Sequence, residues 1–171
     1  MTEEEMKRTL RRIVGEILER NAKVLEDVML FGILTRGFPL AQRLVQYIKE
    51  FESIEIPVAP LDIGLNRDDI VLRPNPRAFP TGLPLNVQGK IVILVDDVLH
   101  TARTARVAMN VVFESGRPRG IQLMALIDRG HQEMPIRADY MGRSVPVSSE
   151  ERVNVRLFET DGKDEVVISS S

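Results

Sequence analysis

Apolar residues recur at helical spacing through the first twenty positions, at Met6, Leu10, Ile13, Val14, Ile17 and Leu18, behind Thr2 and Glu5 spaced as a capping box. The pattern predicts an amphipathic helix ending near Asn21, with Lys7, Arg8, Arg11, Arg12 and Arg20 on its polar side. Val28 to Leu34 is then continuously apolar, as in a strand covered on both faces, and Thr35-Arg36-Gly37 leads into a helix with Pro39 in its first turn. That helix is expected to bury Leu40, Leu44, Val45, Ile48 and Phe51. Ile56 to Leu65 reads as a strand whose Pro57 and Pro60 mark an edge. Val92 to Val95 is a third strand that stops at Asp96-Asp97, followed by a hydroxyl-rich turn and a helix from about Ala105 to Glu114, closed by Ser115-Gly116. Ile121 to Ile127, Val153 to Phe158 and Glu165 to Ile168 are further strands, the last two flanking an Asp161-Gly162 turn. Strands alternating with helices predict an α/β fold with a largely parallel sheet in one domain spanning 1–171.

The stretch from Val92 to Thr104 carries the most specific chemistry. Two adjacent carboxylates at the tip of a buried strand suit the vicinal hydroxyls of a sugar, each accepting a charge-assisted hydrogen bond. Thr101 and Thr104 add hydroxyls, and the amides from Leu99 to Thr104 open a helix amino terminus that favours a phosphate. The loop at Thr35-Arg36-Gly37 also ends a strand, and offers one hydroxyl, one guanidinium and a glycine to an anion. An aliphatic strand ending in Asp-Asp also occurs in nucleotide hydrolases, but the chain has no Gly-x-x-x-x-Gly-Lys-[Ser/Thr] loop, nor a Gly-x-Gly-x-x-Gly.

Composition narrows the classes. The 171 residues carry a net charge of −2, so no global field recruits nucleic acid, yet the cations are mostly Arg, whose fork matches phosphate. Without Cys there is neither disulfide nor thiolate chemistry. The acidic start Met-Thr-Glu-Glu-Glu-Met is unlike a signal peptide, and no apolar run approaches the roughly twenty residues of a membrane span. A cytoplasmic protein is expected.

Val92 to Thr104 resembles, at every position, the phosphoribosyl-pyrophosphate signature of the type I phosphoribosyltransferases, except that Ala102 stands where the family usually has Gly. The resemblance implies a central mainly parallel sheet flanked by helices, with a small hood contributed mainly by about 128–150 and a mobile loop at about 68–84. It implies that Thr35, Arg36 and Gly37 bind pyrophosphate, with Arg36 acting in catalysis. Asp96 and Asp97 hold the ribose, also as catalytic residues, and Val98, Leu99, His100, Thr101, Ala102, Arg103 and Thr104 form the 5-phosphate loop. Arg67 is a further phosphate candidate. Mg²⁺ is expected to arrive with phosphoribosyl pyrophosphate, without a dedicated set of protein ligands.

Asp128-Arg129-Gly130-His131, Pro135-Ile136-Arg137-Ala138-Asp139 and Tyr140-Met141-Gly142-Arg143, with Leu61-Asp62-Ile63 and Arg67-Asp68-Asp69, resemble the branch of this family that regulates pyrimidine operons by attenuation. That branch implies a bifunctional protein: uracil and phosphoribosyl pyrophosphate give UMP and pyrophosphate, and uridine nucleotide governs binding to a stem-loop in pyrimidine operon mRNA. Asp128, Val145 and Val147 lie where the base pocket is expected, while Arg12, Arg20, His131, Arg137 and Arg143 are the RNA candidates, in an expected homodimer or homotetramer. The chain departs from the branch at Gly15, Leu34, Gly64, Asn66, Gln132 and Val147. Two alternatives stand beside the bifunctional reading: a nucleotide-sensing RNA regulator with weak or lost catalysis, and a phosphoribosyltransferase without RNA function.

Overall fold

The computed structural model describes residues 1–64, 85–148 and 150–170. Arg67, Asn66 and the expected mobile loop at about 68–84 lie outside the described residues.

Helix α1 (Glu3–Asn21) begins with the capping box foreseen from Thr2 and Glu5: the Thr2 hydroxyl accepts from the Glu5 amide while Glu5 accepts from the Thr2 amide. Its stripe of Met6, Leu10, Ile13, Val14 and Ile17 is fully buried, each side chain contributing about 2 kcal/mol of hydrophobic stabilisation. Strand β1 (Val28–Ile33) leads to α2 (Gly37–Glu52), β2 (Val58–Leu61), β3 (Ile91–Leu99), α3 (Arg103–Glu114), β4 (Gly120–Asp128) and β5 (Tyr140–Ser144). Strand β6 (Glu151–Arg156), the short helix α4 (Phe158–Asp161) and β7 (Glu165–Ser170) complete the chain.

The main sheet has the order β2-β1-β3-β4-β5, and each neighbouring pair is parallel. Strand β2 is an edge, as its prolines predict, since Pro has no N–H to give a second neighbour. Two apolar layers cover the sheet. One packs α1 and α2 against Val28, Leu30, Ile93, Val95, Met124 and Leu126; the other packs α3 against Met29, Phe31, Val92, Leu94, Leu123 and Ala125. This alternation along each strand explains the unbroken aliphatic runs.

Several expectations are revised. Strand β3 does not stop at Val95 but continues through both aspartates to Leu99, because Asp96 pairs in register with Ala125 and Val98 with Ile127. Helix α3 starts at Arg103, not Ala105. Among the described residues, the strand expected over 56–65 is confined to Val58–Leu61, where its partner β1 ends. Phe51, expected in the core, is 47% exposed on the last turn of α2 and sits instead beneath the Arg11 guanidinium, with 5.9 Å to its ring centroid. Val45 is only half-buried. The 128–150 stretch supplies β5 to the main sheet, whereas the small separate sheet is the antiparallel β6–β7 pair. That pair is tied back to the amino terminus, where Met1 and Val166 exchange backbone hydrogen bonds of 2.8 and 2.9 Å.

Candidate functional site

From β1 the chain crosses to β2 on one side, while β3 lies on the other side of β1 and the chain from β3 proceeds away toward β5. The order therefore reverses between β1 and β3, and the crevice outside the carboxyl ends of those two strands is where a parallel sheet binds ligands. The residues that open it are Thr35-Arg36-Gly37 from β1 and Asp96 to Thr104 from β3.

The two loops are brought close by glycine. A Cβ on Gly37 would lie 2.2 Å from the Val95 carbonyl oxygen, and one on Gly32 would lie 2.2 Å from the Phe38 Cα. Only hydrogen at those positions lets the start of α2 press against β1 and β3. Thr35 is exposed, and the Leu34–Thr35 peptide is cis. Arg36, the residue before α2, turns its guanidinium to Asp161 in a two-bond fork, with Nε donating to Oδ2 at 3.1 Å and Nη2 to Oδ1 at 2.8 Å. The Asp161 bonds raise the Arg36 pKa above its ordinary value against the opposing effect of burial, and the negative charges of Asp161 and Asp97 add to the rise. The Arg36 fork in turn holds the Asp161 carboxyl well below its ordinary range, helped by bonds from Thr160 and the Leu157 amide.

Successive residues of a strand face opposite sides. Asp96 is buried and Asp97 half-exposed. Each carboxylate accepts from the next amide along the strand, Asp97 N–H to Asp96 Oδ1 at 2.9 Å and Val98 N–H to Asp97 Oδ1 at 3.0 Å. Beyond Leu99, the half-exposed His100 and Thr101 lead to Ala102, which is buried in the left-handed region at φ 67°, ψ 7° and caps α3. Ala102 thus occupies the conformation that makes glycine the usual choice there. Burial lowers the His100 pKa, and the positive charges of Arg129 and His131 lower it further against Glu133. The loop is braced from the β4–β5 connection: Glu133 N–H donates to the Thr101 carbonyl at 3.1 Å, and the Arg103 guanidinium pairs with Glu133 at 2.8 Å. Thr104 is half-buried in the first turn of α3.

Asp128 ends β4 opposite Leu99 in the register, so it borders the same crevice. Its Oδ1 accepts from the Gly130 amide at 2.8 Å and from Gln132 Nε2 at 2.7 Å. Its carbonyl accepts from the Val145 amide, and the buried Val147 turns its carbonyl to His131 Nε2 at 3.2 Å. Asp128, Val145 and Val147 therefore gather beside the loop that follows β3. The sequence did not disclose three partners that shape this site, namely Asp161, Gln132 and Glu133. Asp161 reads only as half of a turn, and a residue type carries no signal of pairing across the 125 positions that separate it from Arg36.

Of the RNA candidates, Arg12, Arg20 and Arg143 line the seam between α1 and β5. Arg12 Nη2 donates to the carbonyls of Met141 and Gly142 at 2.9 and 2.7 Å, and Arg20 pairs with Asp139 at 2.7 Å below the Tyr140 ring. Arg143 pairs with Glu5 at 3.3 Å. Arg137 is exposed on the β4–β5 connection, and there His131 has a positive φ of 65°. Among the described residues no three His, Cys, Asp or Glu side chains cluster as a metal-holding group, and no helix is long and apolar enough to cross a membrane.

The phosphoribosyl transferase domain family matches residues 2–157. The chain is similar to the bifunctional protein PyrR of Chloroflexus aurantiacus, 56% identical over 98% of this chain and 92% of that one. It is 51% identical to bifunctional protein pyrR of Enterococcus faecalis over 96% of this chain and 92% of the relative, and 50% identical to the Thermus aquaticus protein over 97% and 92%. Among solved structures, hypoxanthine phosphoribosyltransferase of Trypanosoma cruzi superposes with a TM-score of 0.74 over 99% of this chain and 94% of its own, at 19% identity. At that identity the likeness speaks for the fold, a type I phosphoribosyltransferase sheet flanked by helices.

Proposed function

Because the chain belongs to the phosphoribosyltransferase family, among the proteins named bifunctional protein PyrR, we propose that it joins uracil to phosphoribosyl pyrophosphate and binds pyrimidine operon mRNA under the control of uridine nucleotide. The observation that carries this reading is the meeting of Thr35–Gly37 with Asp96–Thr104 across the β1/β3 reversal. A loop suited to an anion, a carboxylate pair and a helix amino terminus lie side by side there, which supports their assignment to pyrophosphate, ribose and 5-phosphate.

In the reaction a ring nitrogen of uracil gives up its proton to water or the departing pyrophosphate and forms a bond to the anomeric carbon as the bond from that carbon to pyrophosphate oxygen breaks. The electron pair of that bond leaves with pyrophosphate. The carbon passes through an oxocarbenium-like state. The protein's task is positioning and electrostatic stabilisation. Asp97, the more accessible carboxylate, and Asp96 beside it accept from the ribose hydroxyls and favour the developing positive charge. Amides and hydroxyls from Val98 to Thr104 hold the 5-phosphate at the start of α3, where unpaired N–H groups and the helix dipole attract it. Arg36, Thr35 and the Gly37 amide receive the departing pyrophosphate; Arg67, outside the described residues, is a further phosphate candidate. Asp128 accepts from the base, with Val145 and Val147 as its apolar wall.

The donor set fits a hard cation carried by the substrate, since Mg²⁺ takes one or two carboxylates together with phosphate oxygens and water. Asp96 and Asp97 are the side chains that would meet it. When bound, Mg²⁺ neutralises charge on the leaving pyrophosphate.

The α1/β5 seam with Arg12, Arg20 and Arg143, together with His131 and Arg137, supports the RNA half. These cations serve phosphates, while sequence is read in unpaired loops. A reading as cytoplasmic homodimer or homotetramer accompanies it. The test is titration of a labelled pyrimidine operon stem-loop with and without UMP across a salt series. UMP is expected to tighten binding, and Arg137→Gln to weaken it with a salt slope smaller by about one. Absent binding would leave only the enzyme, and binding indifferent to UMP would contradict control by uridine nucleotide.

A further inference from the structure

Asp161 holds a place in the site that its turn-like sequence does not announce. It ends α4 and is immobilised on three sides. Its Oδ2 accepts from the Leu157 amide at 2.9 Å and from the Thr160 hydroxyl at 2.6 Å, while Arg36 takes both oxygens in its fork. The segment that carries it is itself clamped to α2. Arg43, two helical turns beyond Arg36, binds Glu159 through Nη2 at 2.6 Å and Asp164 through Nη2 at 2.7 Å. A planar guanidinium held through Nε and Nη2 has its orientation set, and its Nη1 edge remains outside the pair.

We propose that Asp161 is a positioning residue that holds the Arg36 guanidinium, through its two-bond fork, at the pyrophosphate end of the crevice. The inference rests on the phosphoribosyltransferase reading given above. Without Asp161 the arginine side chain loses the fork that fixes its plane and is free to turn away from the pyrophosphate end. Asp161 also neutralises the Arg36 charge in the ligand-free protein. Orientation therefore outweighs raw attraction for pyrophosphate in this arrangement.

Steady-state kinetics with phosphoribosyl pyrophosphate varied, on the wild type, Asp161→Asn, Arg36→Gln and the double variant, test this. Asp161→Asn is expected to raise KM for phosphoribosyl pyrophosphate about tenfold and to change kcat less. In the Arg36→Gln background the same substitution is expected to add nothing, because Asp161 acts through Arg36. A wild-type KM in Asp161→Asn overturns the proposal. So does a full additional loss in the double variant, which would make Asp161 a structural support of α4 alone. If Asp161→Asn fails to fold, Asp161→Ser keeps an acceptor for the Leu157 amide without the fork and is read by the same criteria. Should the wild type itself show no turnover, the enzyme reading fails, and calorimetric titration with pyrophosphate still decides this inference: Asp161→Asn or →Ser weakens binding about tenfold, or overturns it by binding as tightly as the wild type.

Discussion

At Ala102 a single methyl group is in conflict with its backbone. The residue is buried at φ 67°, a region that costs an L-residue roughly 1 kcal/mol or more and glycine almost nothing. Ala102→Gly is expected to stabilise the protein by about 1 kcal/mol in spite of the extra freedom it gives the unfolded chain, and to tighten phosphoribosyl pyrophosphate by bringing the backbone nearer the phosphate. Thermal unfolding and KM measure the two effects, and a lower Tm with unchanged KM would contradict both. The sequence showed that this position departs from the family, but not whether the departure matters, because a positive φ is a property of the folded loop. His100, two residues earlier, was legible only as a member of the loop. Its lowered pKa comes from burial and from Arg129 and His131, which approach through tertiary structure.

Elements were read more securely than their ends. The Thr2–Glu5 box, the apolar stripe of α1, the edge character of β2 and the β3-loop-α3 unit all follow from local pattern. What pattern missed was set by neighbours: β3 runs on through its aspartates because β4 pairs with it, and Phe51 leaves the core because Arg11 offers its guanidinium as a cover. The approach of α2 to β3 is the element-scale feature on which the site most depends. Gly37→Ala would place a methyl group 2.2 Å from the Val95 carbonyl, and is expected to cost about 3 kcal/mol and to depress turnover by separating the two ligand loops. Chemical denaturation combined with kinetics checks it. A fully stable and active Gly37→Ala would mean that the loops meet less closely than the structure shows.

Across the whole molecule, carboxylates anchor the α4–β7 end of the chain to α2. Arg43 depresses the Glu159 pKa below its ordinary 4.5. Burial pushes Asp164 up, but Arg43 and the Phe158 amide outweigh it, so its pKa also falls below 3.8. Asp161 is depressed in the same sense. For groups whose folded pKa is depressed, the stabilisation is complete above their unfolded values and is lost as pH falls through the folded ones. Stability is therefore expected to decline as pH drops below about 4.5. Asp164→Asn should be less stable at pH 7 and show a shallower acid limb, whereas an acid limb identical to the wild type would remove Asp164 from this account.

The same scale carries the central claim, that two loops assembled from opposite sides of one sheet form a working phosphoribosyl transfer site. Its most direct measurement is the rate of UMP formation from uracil, phosphoribosyl pyrophosphate and Mg²⁺, with Asp97→Asn beside the wild type. Removing one charged hydrogen-bond acceptor from the ribose is worth about 1.5–3 kcal/mol, so the account predicts turnover that requires all three components and falls at least about tenfold in Asp97→Asn while the fold persists. A folded wild type that forms no UMP, or an Asp97→Asn variant that forms it at the wild-type rate, would contradict it.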